Sequence, residues 1–199
     1  MGYDDVRIGR FLDDVASARV APAGGTVVAV AGAMGAALCE MACVHTISAR
    51  EADDGDEGAA PERSFEELRE DFARQRRRLL ALADQDATLV DDLFGGDASE
   101  PTERLEKRAT GIPLATAEAS LIVLEEAAVV VDRGRSGVVA DARAGAYLAD
   151  ATLRASLSTV RVNATALSDR PFAETMTERA DTLAKSAAAV RRDVLQDGR

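Results

Sequence analysis

The sequence predicts an all-α protein, a bundle of about seven helices around a buried, Ala- and Gly-rich central helix, in a single domain over residues 1–199. Two observations predict this class. Apolar residues make up 47% of the chain, yet aromatic residues make up only 4% and tryptophan is absent; the many alanines favour helices. The apolar residues also recur at helical spacing, with little of the alternation typical of strands. A chain of 199 residues is long enough to bury a sizeable core.

Seven helices are predicted from apolar spacing and from start and stop signals. They span residues 3–17, 26–47, 65–94, 101–110, 114–133, 138–167 and 171–196. Ser64 lies three residues before Glu67, a capping box that starts the third helix, and Gly95 and Gly96 end it. The acidic stretch 48–63 contains Gly and Pro, so we expect a mobile loop there.

Apolar residues and helix breakers define the remaining boundaries. One face of the first helix is apolar, which makes this helix amphipathic. Its apolar residues are Ile8, Phe11, Leu12 and Val15. The segment TGIP, residues 110–113, is expected to break the chain between the fourth and fifth helices, because proline removes a helical hydrogen bond. Gly134 ends the fifth helix and Pro171 starts the last.

The stretch from residue 21 to residue 46 is long and apolar and carries one charge, Glu40. A membrane span needs about twenty apolar residues and tolerates a central acid poorly. The other predicted helices are amphipathic, so we expect the central helix of a bundle and no membrane. Its small residues allow neighbouring helices, or a second subunit, to approach closely. They are Gly32, Ala33, Gly35, Ala36 and Ala37.

The start of the central helix is a candidate ligand contact. Gly24 and Gly25 permit close approach of a ligand to the backbone, and Thr26 is predicted to be the N-cap. Free backbone amides and the helix dipole at such a start favour an anion or a polar ligand edge. The alternative is ordinary capping without a ligand.

The charge of the chain is strongly acidic, with a formal net charge of -11. Nucleic acid is therefore excluded as an expected partner. The chain has 20 Asp, 15 Glu, 22 Arg and only 2 Lys. Acidic, Lys-poor surfaces are typical of proteins in concentrated salt, where screening removes self-repulsion. A halophilic source is our first interpretation, and a codon-driven preference for Arg is the alternative.

The two cysteines, Cys39 and Cys43, are four residues apart on the central helix. This spacing points both thiols the same way but seldom fits disulfide geometry. The charged N-terminus lacks an apolar signal region, so we expect a cytoplasmic protein with reduced, buried cysteines. His45 lies nearby, but the spacing matches no common zinc pattern and lacks a fourth ligand. We expect no metal.

Asp86 is the first candidate catalytic residue. The apolar stripe of the third helix contains Leu79, Leu82, Leu89, Val90 and Leu93. Asp86 falls on this stripe. A carboxylate on a buried face is costly unless it is paired or functional, and burial shifts its pKa towards general acid–base use. A structural Asp, bonded to a helix end or an arginine, is the open alternative.

A row of small and polar residues follows one face of the predicted helix 138–167. The row consists of Asp141, Gly145, Leu148, Thr152, Ser156, Thr159 and Asn163. It lines a cavity or packs closely against another helix. Asp141 and Asn163 lie roughly 33 Å apart along one straight helix, so they serve different ends or the sites of different subunits. Arg161 either binds a carboxylate or offsets the helix dipole.

Four segments, in this order, resemble the cyclodeaminase domain of formiminotransferase-cyclodeaminase and the related stand-alone methenyltetrahydrofolate cyclohydrolases. They are FLDDVASARVAPAGGTVVAVAGAMGAALCEMAC (11–43), LLALADQDATLV (79–90), ATGIPLATAE (109–118) and VVADARAGAYLADATLRASLSTVRVNATAL (138–167). The family's Pro-Gly-Gly-Gly-Ser loop corresponds to residues 22–26. Its Asp-x-Asp-Ala segment places Asp86. Its Ser-Asp-x-Gly helix with an Asn-Val-x-x-Asn ending places Asp141, Arg161 and Asn163.

Three features depart from the family pattern. The Gly-Lys-Lys-x-Tyr run that usually follows the central helix is replaced by SAREADDGDEG, residues 48–58. Ala23 replaces the first glycine of the loop, and the Gly-Asn before the Ser-Asp helix is replaced by GRSG, residues 134–137. A non-catalytic, folate-binding helical dimer is therefore a further alternative.

The resemblance implies an all-helical homodimer with a folate site near the subunit interface. It implies hydrolysis of 5,10-methenyltetrahydrofolate to 10-formyltetrahydrofolate, or closure of 5-formiminotetrahydrofolate with release of ammonia, without a metal or redox cofactor. Asp86 and Asp141 are then the catalytic candidates. The substrate-binding candidates are Gly24, Gly25, Thr26, Arg161 and Asn163. The chain carries no transferase half, which favours the cyclohydrolase.

Overall fold

The computed structural model describes residues 2–52, 63–95 and 102–195. These residues form six α-helices and one short 3-10 turn, and they contain no strand. The elements are α1 (Ile8–Val15), α2 (Gly24–Ala52), α3 (Phe65–Phe94), α4 (Glu103–Arg133), the turn Ser136–Val138, α5 (Val139–Ala166) and α6 (Arg170–Leu195). The predicted all-α class is confirmed.

Helix α2 is the centre of the bundle. It packs along α3 on one side and along α5 on the other, and it also contacts α4. Its buried face is composed of small residues, as predicted: Ala29, Gly32, Ala33, Gly35, Ala36, Cys39, Ala42 and Cys43. Among the described helices, α2 is long and apolar enough to cross a membrane, a test that the core helix of a soluble protein also meets. Glu40, the one charged residue within its apolar stretch, pairs with Arg76 of α3 at 2.8 Å.

The backbones of α2 and α5 lie in direct contact. A Cβ atom added to Gly35 would lie 2.8 Å from the backbone oxygen of Gly145, and one added to Gly145 would lie 2.7 Å from the oxygen of Gly35. The Sγ of Cys39 would lie equally close, 2.6 Å from a Cβ at Gly145. The part of the row on α5 around Gly145 and Thr152 is thus used for close helix packing, one of the two predicted uses of the row.

Helix α3 supplies much of the large-side-chain core. Its capping box is present as predicted: Ser64 accepts from the Glu67 backbone N–H, and the Glu67 side chain accepts from the Ser64 backbone N–H. The helix ends at Phe94, with Gly95 as its C-cap. Its largest fully buried side chains are Phe65, Leu68, Phe72 and Leu79.

The predicted break at residues 110–113 is wrong, because α4 runs without interruption through Pro113. Proline has no N–H, so the carbonyl of Ala109, four residues earlier, loses its usual helical partner. The side-chain amide of Asn163 on α5 donates to this carbonyl at 2.6 Å. A donor from a neighbouring helix thus replaces the missing bond, and two predicted helices become one.

Other helix ends differ from the prediction by a few residues. Helix α1 is shorter than predicted and buries only Phe11, while Ile8 and Leu12 are 63% and 55% exposed. Helix α2 begins two residues earlier and continues to Ala52, into the predicted loop. The rest of that loop, residues 53–62, lies outside the described residues.

Candidate active site

Asp86 of α3 meets the amino end of α2. The Thr26 hydroxyl donates to Oδ2 of Asp86 at 2.8 Å. The prediction that Thr26 is the N-cap is wrong, because the helix begins at Gly24 and Thr26 lies within its first turn. The Thr26 hydroxyl instead ties this helix end to Asp86, sixty positions later in the chain.

Gly25 makes room for the Asp86 carboxylate. A Cβ atom on Gly25 would lie 2.7 Å from Cγ and 2.8 Å from Oδ2 of Asp86. Gly24 has the opposite environment, since a Cβ there would meet nothing within 4 Å. One side of this helix end is thus closed by the carboxylate, and the other side is open to a ligand.

The surroundings of Asp86 raise its pKa above the ordinary value of 3.8. The principal cause is burial, which disfavours the charged form, and hydrogen bonding by Thr26 opposes it. The carboxylate remains partly exposed. An accessible acid with a raised pKa and ordered donors is suited to take up and return a proton.

The N-terminal segment adds an aromatic residue that the sequence analysis did not single out. The backbone N–H of Tyr3 donates to Oδ1 of Asp84 at 2.8 Å, and the Tyr3 ring packs edge-to-face on Phe11 at 5.4 Å. Burial raises the pKa of the Tyr3 hydroxyl, and nearby carboxylates, first Asp84 and also Asp86, raise it further. Tyr3 therefore lies close to the candidate site. No periodic signal in the sequence indicates this.

Asp141 does not join Asp86 within one chain. Asp141 is exposed near the start of α5, one turn before Gly145, which packs against Gly35 and Cys39. Asp86 packs against Gly25, which lies ten residues before Gly35 and fourteen before Cys39 on α2. At the helical rise, this separates the two carboxylates by roughly 20 Å along the bundle.

The other two predicted contact residues bond to neighbouring helices. Arg161 is exposed and pairs with Asp181 of α6 at 2.9 Å. Asn163 bonds to the carbonyl of Ala109, as described above. The structure therefore brings together Gly24, Gly25, Thr26 and Asp86, and it gives Arg161 and Asn163 partners elsewhere.

The cysteines lie in the core, away from this site. Cys39 and Cys43 are buried and their thiols are free. Burial is the main cause that raises the pKa of Cys43 to about 12, and it raises the pKa of Cys39 further. Thiolates are therefore disfavoured at both positions. Across the described parts of the chain, no group of three or more His, Cys, Asp or Glu side chains is placed to hold a metal.

Comparison with known proteins agrees with the motifs. The family model described as formiminotransferase-cyclodeaminase matches residues 7–182. A methenyltetrahydrofolate cyclohydrolase from Methylorubrum extorquens is 31% identical over 193 residues, which cover 90% of this chain and 89% of that protein. The chain therefore belongs to the formiminotransferase-cyclodeaminase family, as predicted.

A solved structure shows the same fold. The crystal structure of formiminotetrahydrofolate cyclodeaminase from Thermotoga maritima aligns with a TM-score of 0.83 at 22% identity. The alignment covers 96% of this chain and 97% of that one. The helical architecture is thus shared over nearly the whole length of both proteins.

Proposed function

We propose that the protein hydrolyses 5,10-methenyltetrahydrofolate to 10-formyltetrahydrofolate, with Asp86 as the group that moves the proton. The observation that carries this proposal is the Asp86 carboxylate, held by Thr26 at the amino end of α2 beside the open face of Gly24. The name of the Methylorubrum extorquens relative supports this reaction, since the two chains match over nearly their full lengths.

The chemistry requires one well-placed acid–base group. The bridging carbon of the substrate is bonded to two nitrogens and is cationic, so water adds to it as a nucleophile. Asp86 accepts the proton that water loses as the carbon–oxygen bond forms. The protonated Asp86 then returns this proton to N5 as the carbon–N5 bond breaks, and the new hydroxyl loses its proton to form the formyl group. Water is consumed and one proton is released to solvent.

The raised pKa of Asp86 suits both halves of this cycle. A carboxylate with a higher pKa is a better base towards water and remains a competent acid towards the leaving nitrogen. Hydrogen bonding by Thr26 keeps the ionised form accessible, because it favours the charged carboxylate.

A direct assay tests this reaction. The near-ultraviolet absorbance of 5,10-methenyltetrahydrofolate is followed in molar KCl, because the acidic composition predicts a requirement for salt. The wild-type protein is expected to remove the absorbance faster than buffer, and Asp86→Asn to slow this by about 10²–10⁴-fold. A wild-type rate equal to buffer contradicts the proposal. Release of ammonia from 5-formiminotetrahydrofolate in a parallel sample would identify a cyclodeaminase instead.

We also propose a homodimer in which Asp141 of one chain completes the site of the other. Helix α2 presents an apolar side chain, Met34, outward with 42% of its surface exposed, and exposed apolar surface favours association. A two-fold axis beside Met34 would place residues 40–42 of one α2 opposite residues 26–28 of its partner. Asp141 lies at the level of the first segment and Asp86 at the level of the second.

Subunit mixing tests the shared site. Asp86→Asn and Asp141→Asn are each expected to be nearly inactive. When the two variants are co-expressed in equal amounts, random pairing makes about half of the dimers heterodimers. Each heterodimer has one intact site and one doubly substituted site. About a quarter of the wild-type activity should therefore return. Light scattering in the same buffer must show a dimer. A monomer, or no recovery of activity on co-expression, contradicts the proposal.

A further inference from the structure

A groove between α3 and α4 lies beside the candidate site. It has a volume of about 620 Å³, within the range of small-molecule sites. Its floor is apolar and includes Leu82 and Ile112, while Gly111 leaves one wall bare, since a Cβ there would meet nothing within 4 Å. The groove is therefore shaped for an apolar or aromatic group.

The rim of this groove carries two arginines whose charges are weakly compensated by the described residues. Arg104 and Arg108 both line it, four residues apart on α4, a spacing at which like charges repel. Arg108 is 3.9 Å from Asp92, at the limit of an ion pair. Within the described ranges, no carboxylate forms a salt bridge with Arg104. An anion between the two guanidinium groups would relieve this repulsion.

The third cation of the groove is already neutralised. Lys107 Nζ lies 2.6 Å from carboxylate oxygens of both Glu103 and Asp169. These two acids satisfy its charge, so Lys107 offers little to an anionic ligand. The charge that remains for a ligand is that of the arginine pair.

The groove reaches the turn of α3 that carries Asp86. Leu82 and Gln85 line the groove, and Asp86 is the next residue after Gln85. Leu82 faces α4, whereas Asp86, one turn later, faces α2. A ligand that occupies the groove can therefore extend around this turn towards Asp86.

We propose that the groove binds the aminobenzoyl-glutamate tail of the folate substrate, an assignment that rests on the function proposed above. The aminobenzoyl ring packs on Leu82 and Ile112, and the glutamate carboxylates bind Arg104 and Arg108. A guanidinium group binds a carboxylate through two parallel hydrogen bonds, which gives such a pair both strength and orientation. The tail bound in this way holds the substrate beside Asp86 through contacts that are the same in the ground state and the transition state.

Binding of the isolated tail tests the groove without any turnover. Calorimetry with p-aminobenzoyl-L-glutamate uses the lowest salt at which the helical fold is retained. The double variant Arg104→Gln/Arg108→Gln is expected to weaken binding at least tenfold. Arg192→Gln on α6, an exposed charge at the far end of the bundle, is the matched control. The proposal is overturned if the wild-type protein does not bind this compound, or if the wild type and the double variant bind it equally well.

A second variant guards against misfolding. Gly111→Leu fills the open wall, and leucine favours a helix more than glycine does, so this variant should fold and also lose binding. Unimpaired binding by folded Gly111→Leu overturns the proposal. With 5,10-methenyltetrahydrofolate, the double arginine variant should raise KM about tenfold or more and leave kcat nearly unchanged. If the wild-type protein binds the tail through these arginines but does not hydrolyse 5,10-methenyltetrahydrofolate, the groove assignment stands and the proposed cyclohydrolase activity is rejected.

Discussion

Two glycines of α2 show how one residue type serves two purposes. At Gly25, on the amino end, a methyl group would overlap the partly exposed carboxylate of Asp86. At Gly35, in the middle, it would press against the backbone of α5 at Gly145. The first glycine admits a charged group with a raised pKa, and the second admits a neighbouring helix. Replacement of the first should therefore damage chemistry, and replacement of the second should damage stability.

The largest expected effect is on activity at the first position. Gly25→Ala should lower kcat/KM by about 10²-fold, because the new methyl group displaces Asp86 and misplacement near 1 Å has this cost. Steady-state kinetics on methenyltetrahydrofolate measures the loss. Gly24→Ala controls for folding, since its methyl group meets open space, and its free energy of unfolding should stay near wild type. Full activity of the Gly25→Ala variant would contradict the view that Gly25 makes room for the Asp86 carboxylate.

A smaller effect, on stability, is expected at the helix contact. Gly35→Ala and Gly145→Ala should each lower the free energy of unfolding by about 1–3 kcal/mol, since each methyl group overpacks a backbone contact. Denaturant unfolding measures the change, and kcat should stay near wild type at temperatures where the protein is folded. Gly9→Ala on α1 is the control, because its methyl group meets nothing within 4 Å. If the three variants are equally stable, α2 and α5 do not pack this closely.

The smallest effect concerns the contact between α4 and α5. Asn163→Ala should lower the free energy of unfolding by about 1–2 kcal/mol, because it leaves the Ala109 carbonyl without a donor. In a Pro113→Ala background the restored N–H can bond to this carbonyl, so the same substitution should cost much less. Denaturant unfolding of the four proteins gives the coupling energy. Equal losses in both backgrounds would show that Asn163 does not compensate for the proline.

Local rules predicted most helices and failed where a distant residue intervened. The Ser64–Glu67 capping box and the stop at Gly134 are local, and both are present. Pro113 was expected to end a helix, and it does not, because its compensating donor is Asn163, fifty residues later. Thr26 was expected to cap α2, but the helix begins at Gly24 and the Thr26 hydroxyl bonds to Asp86 of α3.

The candidate site was only partly readable from the sequence. Asp86 was detectable as a carboxylate on an apolar stripe, and the Gly-Gly-Thr start of α2 was detectable as a polar helix end. The sixty residues between Thr26 and Asp86 gave no sign that the two side chains lie in contact. Arg104 and Arg108 had no such signal, since arginines at the start of a helix are ordinarily solvated. Their importance depends on the groove, which only the packing of α3 on α4 creates.

The most direct test of the role of Asp86 is the pH dependence of kcat/KM for hydrolysis of 5,10-methenyltetrahydrofolate. Asp86 must be ionised to accept a proton from water, and burial raises its pKa above 3.8. The rate of the wild-type protein should therefore fall as the pH is lowered through an apparent pKa above that value. Asp86→Asn should be slower by at least about 10²-fold and lack this acid limb. An Asp86→Asn protein with the wild-type rate and the wild-type pH profile would contradict the account.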